Sequence, residues 1–425
     1  MDLKGKINDF FKKFRDDLVS AVIWAAFSII CGIVTGLCGT GFAKLIVIAT
    51  DFRLSHEYIL FFLPFAGLFI AWVYKLAGSS IEGGTNLVLK DIREGEEVPM
   101  RMAPVIFIAT VTTHLFGGSV GREGAALQMG GSMGSGLAKF LHMKKDSHQI
   151  AIMCGMSAAF SALFGTPLAA MVLPIEISTV GIIHYSALVP CAIASLSAHF
   201  VAKYFGMGGG VYNPDLSFGA ETPPNILLCI AFAVLAAFVS VLFAVTVNKA
   251  EHLAESKIKN DYVRIFVLGA AVVGMTLLVG SQTYNGTGAA TIYNSVFGNG
   301  AGLPWYAFLL KIIFTAVTLA AGFKGGEIVP ALFIGATFGN FFGTLTGTSP
   351  ATFAAIGMGA VFCGITNCPL ASLLLCFELN GYGGIPYYMI AIPLTFLLSG
   401  NFGVYKGQKI LYSKYSMDKI DEHTK

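Results

Sequence analysis

The sequence predicts an all-α, polytopic membrane protein built from two similar halves, for three reasons. Hydrophobic residues make up 55% of the chain against 12% charged, and mean hydropathy is +0.72. Uncharged apolar stretches at or near span length recur at 21–36, 59–73, 226–247, 265–280 and 385–398. Two glycine- and proline-containing motifs then appear twice, in the same order. A net charge of +3 singles out no partner, and no basic run with interleaved aromatics suggests nucleic acid.

Taken in order, residues 1–19 read as an amphipathic cytoplasmic helix leading into the first span. Five of the first 15 residues are Lys or Arg, which favours the cytoplasmic side, and no cleavage site follows. The glycine-rich segment 78–91 is too short and polar to cross a bilayer, and 93–101 is a charged loop. Apolar residues 103–115 lead into 117–136, GGSVGREGAALQMGGSMGSG, where Gly131 and its neighbours suit close contact with another helix. The stretch 151–177 is interrupted at Gly165-Thr166-Pro167, so it reads as two short helices. From Tyr204 to Asn248 there is no Lys or Arg, whereas 249–264 carries four. The loop at 206–225 is thus expected outside, 249–264 inside, and 226–247 spans between them.

The second half echoes the first. FGTPLAAMVLPIEIS (164–178) matches TNCPLASLLLCFELN (366–380), and both place a Glu nine residues after the Pro, Glu176 and Glu378. Upstream, GREGAALQMGGSMGSG (121–136) is matched by GGEIVPALFIGATFGN (325–340), which sets Glu123 roughly against Glu327. The division expected is a first transmembrane repeat at 20–220, a second at 221–402, and a C-terminal helix with Tyr412 and a short cytoplasmic tail at 403–425.

Repeated broken helices opening on glycines point to a transporter whose site lies between the repeats. Helix N-termini offer unpaired N–H groups and partial positive charge, which suits an anion. Arg122 is the only Lys or Arg between Arg101 and Lys139, and it adjoins Glu123. An ionisable pair in such surroundings is costly unless partnered or facing a polar cavity. Glu123 is therefore the candidate reacting group, with a static pair to Arg122 as the plain alternative. An intramembrane hydrolase would need a nucleophile and base, and none of Gly-x-Ser-x-Gly, His-Glu-x-x-His or a phosphate loop occurs. The 8 cysteines lie in apolar segments without a Cys-x-x-Cys pair and read as small buried hydrophobes. No metal and no cofactor is expected.

GREG at 121–124, GGEIVP at 325–330, the paired Pro-Leu-Ala…Glu segments and KILYS at 409–413 together resemble the CLC family of chloride channels and anion/proton antiporters. The resemblance implies a CLC-type fold with two inverted structural repeats of tilted and broken helices, and a homodimer with one pore per subunit. It places the protein in the plasma membrane with both termini cytoplasmic. Glu123 matches the family's gating, proton-coupling glutamate: a carboxylate competes with the anion for its place, and protonation releases it. Tyr412 matches the tyrosine that donates to the central anion. The other anion-binding positions implied are Gly84, Thr85, Asn86, Gly124, Ala125, Ile328 and Val329.

The departures carry information. The serine-bearing Gly-Ser-Gly-Ile-Pro stretch of chloride members is replaced by Gly83-Gly84-Thr85-Asn86, Ala125 stands where Pro is usual after GREG, and Glu327 enters the second motif. These changes resemble the family's fluoride-exporting branch. Fluoride is smaller and harder to dehydrate than chloride, so a tighter site with an added polar group suits it, and Glu327 becomes a candidate for the proton and anion path. The internal proton-transfer glutamate of many chloride antiporters is here Ile177. Arg122, Glu176 and Glu378 read as structural groups that cap or pair locally, and His114 as a satisfied structural histidine. Asn86 fits a helix cap as well as an anion ligand. The substrate expected is thus a halide, fluoride or else chloride, exchanged for protons across a lipid bilayer.

Overall fold

The computed structural model describes residues 3–78, 84–94, 98–144, 147–207, 222–298, 300 and 302–425. Sixteen α-helices lie among the described residues, eight in each half. The first half contains α1 (Leu3–Ser55), α2 (Leu63–Leu76), α3 (Gly84–Glu94), α4 (Met102–Phe116), α5 (Glu123–Phe140), α6 (His148–Phe164), α7 (Pro167–Ile177) and α8 (Leu188–Tyr204). The second contains α9 (Pro223–Lys257), α10 (Asp261–Val279), α11 (Ala289–Phe297), α12 (Ala307–Ala321), α13 (Ile328–Thr346), α14 (Pro350–Thr366), α15 (Pro369–Asn380) and α16 (Ile385–Leu398). Packing repeats as well as order: α1 packs on α8 as α9 does on α16, and α5 on α6 as α13 does on α14.

The elements follow from local chemistry. Among the described residues six helical segments are long and apolar enough to cross a membrane, while others, such as α7 and α15, are apolar but too short. The expected N-terminal helix does not end at residue 19. It runs on as one 53-residue helix, α1. At 1.5 Å per residue that is about 80 Å, far more than a hydrocarbon core of about 30 Å, so its charged start projects beyond the apolar layer. The break after α6 comes at Gly165, φ +70°, with Pro167 opening α7; its counterpart is Asn367, φ +58°, ahead of Pro369. Asn is among the few residues other than Gly that tolerate this left-handed conformation. The expected external loop at 206–225 falls largely outside the described residues.

Small residues let the paired helices touch backbone to backbone. A Cβ on Gly130 or Gly134 would collide with the α6 carbonyls of Gly155 or Ala151, and one on Gly335 or Gly357 would collide across the α13–α14 seam. Gly131 itself faces Val88 and Ile152. Seven of the cysteines are buried and Cys38 is exposed; all are free thiols.

The halves are joined by an exchange of caps. Glu176, at the end of α7, accepts the Leu370 and Ala371 N–H groups at 3.1 and 2.9 Å, at the start of α15. Glu378 accepts the Leu168 and Ala169 N–H groups at 2.8 and 2.9 Å, at the start of α7. Where the sequence predicts local capping or pairing, each glutamate instead caps a helix of the other half.

The C-terminal segment corrects one expectation. Residues 403–425 contain no helix; they form β2 (Lys409–Tyr412) and β3 (Lys419–His423) beside β1 (Thr179–Val180), in the order β1-β2-β3. β1 and β2 run parallel, β2 and β3 antiparallel. Gly403 and Gly407, where the chain passes tightly against Asn367 and Asn86, disfavour a helix there, and Lys409 and Ile410 extend an edge already started by Thr179 and Val180.

Candidate functional site

The two glycine loops meet face to face. Gly121 and Gly326 form an antiparallel bridge, with Gly121 N–H donating to the Gly326 carbonyl at 2.7 Å and Gly326 N–H to the Gly121 carbonyl at 2.8 Å. A side chain at Gly121 would strike the Glu123 carboxylate at 2.5 Å and the Gly326 carbonyl at 3.0 Å, and one at Gly326 would strike the backbone of Gly124. The glycines are thus needed for two backbones to approach across the seam. The bridge also refines the register. Arg122 and Glu327 are the matching N-caps of α5 and α13, and Glu123 matches Ile328, not Glu327.

Glu123 opens α5 and is 1% exposed. Its Oε2 accepts the Arg122 N–H at 2.9 Å, and the N–H of Val329, in the first turn of α13, is directed at the same carboxylate. Oε1 lies 3.6 Å from Arg122 Nε and has no hydrogen-bond partner. The carboxylate therefore sits where the amides of two opposed helix N-termini converge, a place that suits a small anion. Ala125, Ile328 and Val329 are all buried at this junction. Gly124 is held against Gly326. Arg122 also donates from Nη2 to the Leu163 carbonyl at 3.3 Å, which ties the loop to the end of α6.

Two groups approach from the other side. Glu327, the N-cap of α13, has a buried Oε2 without a hydrogen-bond partner and lies within electrostatic range of Glu251, Lys324 and Glu123. Glu251 pairs with Lys406 at 2.9 Å near the surface, and Lys324 Nζ lies over the Tyr74 ring at 4.9 Å. The tyrosine at the site is not the one singled out in the sequence. Tyr412 is on β2, 40% exposed, with its ring against Gly181. Tyr405 is 1% exposed, its hydroxyl has no hydrogen-bond partner, and it lies within electrostatic range of Glu327, Cys368 and Glu123. A tyrosine hydroxyl is a donor, and an anion between these groups would receive it.

Asn86 is near this segment but already engaged: its Oδ1 accepts the Gly407 N–H at 2.8 Å. It ties α3 to the chain just after Tyr405. Gly84 opens α3 with Thr85 behind it; Gly83 and the Thr85 side chain lie outside the described residues. His114 is buried, with Nε2 3.3 Å from the Gly121 carbonyl, and so supports the bridge.

Glu123 also faces a cavity of about 630 Å³, lined by Arg53 and Leu54 of α1, Arg122, Leu163, Val329 and the 281–292 segment. The junction thus sets a carboxylate with one unpartnered oxygen between two helix N-termini and beside a cavity. Unpartnered carboxylate oxygens at the seam between two repeats are a feature a transport site would use.

Similarity to known proteins identifies the family. Residues 66–400 match the family model described as voltage gated chloride channel. A chloride/fluoride channel protein of Pseudomonas syringae pv. tomato is 32% identical, over 97% of this chain and 92% of its own length. An H+/Cl− exchange transporter of Vibrio cholerae is 26% identical over the same shares of the two chains. The crystal structure of a CLC-type fluoride/proton antiporter superposes with a TM-score of 0.88 at 28% identity, covering 92% of this chain and 98% of that one. The chain belongs to the CLC family of voltage-gated chloride channels and transporters.

Proposed function

We propose that this protein is a fluoride/proton antiporter that exports fluoride from the cytoplasm, driven by the inward proton gradient. The observation that carries the reading is the position of Glu123, whose carboxylate lies against the Arg122 and Val329 N–H groups with one oxygen unpartnered. Ionised, it fills the anion's place. Protonated, it loses the attraction of those amides and gives the place up, so one proton and one anion alternate at a single site. Tyr405 donates its hydroxyl to the anion on the inner side of that place. Glu327 supplies a second carboxylate between Glu123 and the Glu251–Lys406 surface pair and hands protons inward. The chain works as a homodimer in the plasma membrane with both termini cytoplasmic, and as a carrier, not an enzyme.

Fluoride is preferred over chloride on three grounds. Ala125 and Glu327 replace residues usual in chloride members, and Ile177 stands where many of those carry an internal proton-transfer glutamate. The similar proteins include a chloride/fluoride channel protein and a fluoride/proton antiporter. A chloride/proton antiporter or passive chloride channel is the second reading, favoured by the similarity to an H+/Cl− exchanger. Purified protein in liposomes, monitored with fluoride- and chloride-selective electrodes and a pH electrode, separates them. Fluoride movement coupled to opposite proton movement, with chloride much slower, is expected. Chloride as fast as fluoride would remove the preference, and anion flux with no proton movement would indicate a channel.

A further inference from the structure

Beside the cavity at Glu123, Arg53 and Lys311 carry positive charge that no carboxylate among the described residues pairs with. Arg53, in the last turn of α1, lines the cavity yet is only 2% exposed. Its Nη1 donates to Gln282 Oε1 at 3.0 Å, and its Nε has no partner. Behind it, the fully buried Lys311 of α12 donates to the carbonyls of Tyr284 and Gly286 at 3.1 and 2.7 Å. Arg53, Arg122 and Lys311 all lie within electrostatic range of His114, and Arg53 within range of Lys311. The carboxylates lining the same cavity are Asp51, exposed at the rim, and Glu123, which faces Arg122. Among the described residues neither Arg53 nor Lys311 makes an ion pair.

A buried cation without a counter-ion is a costly arrangement unless something mobile supplies the negative charge. Here the neutral partners, Gln282 and two carbonyls, fix the cations in place without cancelling them. The same loop is bound to the gate. Asn285 Nδ2 donates to the Gly117 carbonyl at 2.7 Å, and Gly286 N–H donates to the Gly118 carbonyl at 2.9 Å, just ahead of the Gly121 bridge.

We infer that the mouth of this cavity is an outer halide station, separate from the place occupied by the Glu123 carboxylate and centred on Arg53. It receives the anion leaving the Glu123 site, and Lys311 raises the potential that draws it there. Because the cavity is open and one guanidinium contacts the ion, binding is weak enough for release. The inference rests on the anion-exchange reading above.

The test is the fluoride dependence of exchange when fluoride is supplied from the cavity side of reconstituted protein. R53Q is expected to raise the half-saturating fluoride concentration by about tenfold, more than it lowers the maximal rate, and R53K to restore much of the loss. D51N removes an exposed rim charge without touching the core and is expected to lower half-saturation by about twofold, an effect that shrinks at high ionic strength. If R53Q fails to fold, D51N decides alone. Half-saturation unmoved in D51N, or R53Q and R53K both losing maximal rate with no change in half-saturation, would overturn the station. E123Q run in parallel separates the two ideas. Loss of coupling in E123Q with an unmoved half-saturation in D51N rejects only the station, while intact coupling in E123Q rejects the functional reading itself.

Discussion

Four glutamates lie where the two halves meet, and they form two pairs of different kinds. Glu176 and Glu378 are symmetric: each ends a short helix, and each accepts two backbone N–H groups from the start of the other half's equivalent helix. Glu123 and Glu327 are not equivalent. One is the first residue of α5 and the other the N-cap of α13, and each leaves one buried oxygen without a hydrogen-bond partner. A carboxylate with both oxygens held by amides is a fixed cap, and moving it would orphan the donors it satisfies. A carboxylate with an unengaged oxygen can change partner or take a proton. The symmetric pair is fully engaged in capping, and the unpartnered carboxylate oxygens lie where the repeats diverge.

Several substitutions put this contrast at risk. The largest effect is expected from E123Q, which keeps the shape but cannot alternate between charge states. Proton movement should fall by at least about a hundredfold in liposome flux, the scale of a lost general acid–base group. Retention of proton-coupled exchange would mean the carboxylate is only a static partner of Arg122.

The symmetric pair should fail in another way. E176Q and E378Q each replace an acceptor of two N–H groups with an amide that can satisfy only one. Each should cost about 1–3 kcal/mol, read as a lower unfolding temperature in detergent, while the folded fraction keeps its proton-to-anion ratio. Equal losses in the two variants would support true equivalence; a changed ratio would give these caps a role in coupling.

E327Q should slow coupled turnover by about tenfold without the complete uncoupling of E123Q, because it removes one charged contact along the inner route. The ratio of proton to anion flux, measured in the same vesicles, checks this. The smallest effect concerns the tyrosines. Y405F, which deletes one neutral donor, should weaken fluoride handling by about fivefold, whereas Y412F should leave it within about twofold. The reverse order would return Tyr412 to the site.

The parts of this protein set by local chemistry were legible in the chain alone. Span-length apolar runs, the glycine and proline breaks and the duplicated motifs specified a membrane protein of two repeats. GREG marked Glu123 because a charged pair among glycines, between apolar stretches, is costly unless it meets a partner or a polar cavity. What the sequence did not contain was any long-range pairing. Tyr405 and Tyr412 are seven residues apart in a short tail. Which one turns inward depends on β2 pairing with β1, more than two hundred residues earlier in the chain. Asn86 was recognisable as a polar helix start, but its bond to Gly407 joins two segments that no periodicity connects. The matching of Glu123 with Ile328, and not with Glu327, became definite only when Gly121 was found bridged to Gly326. The cross-capping of Glu176 and Glu378, and the cations Arg53 in the cavity wall and Lys311 behind it, belong to the same class. Local sequence fixes where a helix begins and which residue opens it. Only packing decides which distant amide, carbonyl or carboxylate that residue then meets.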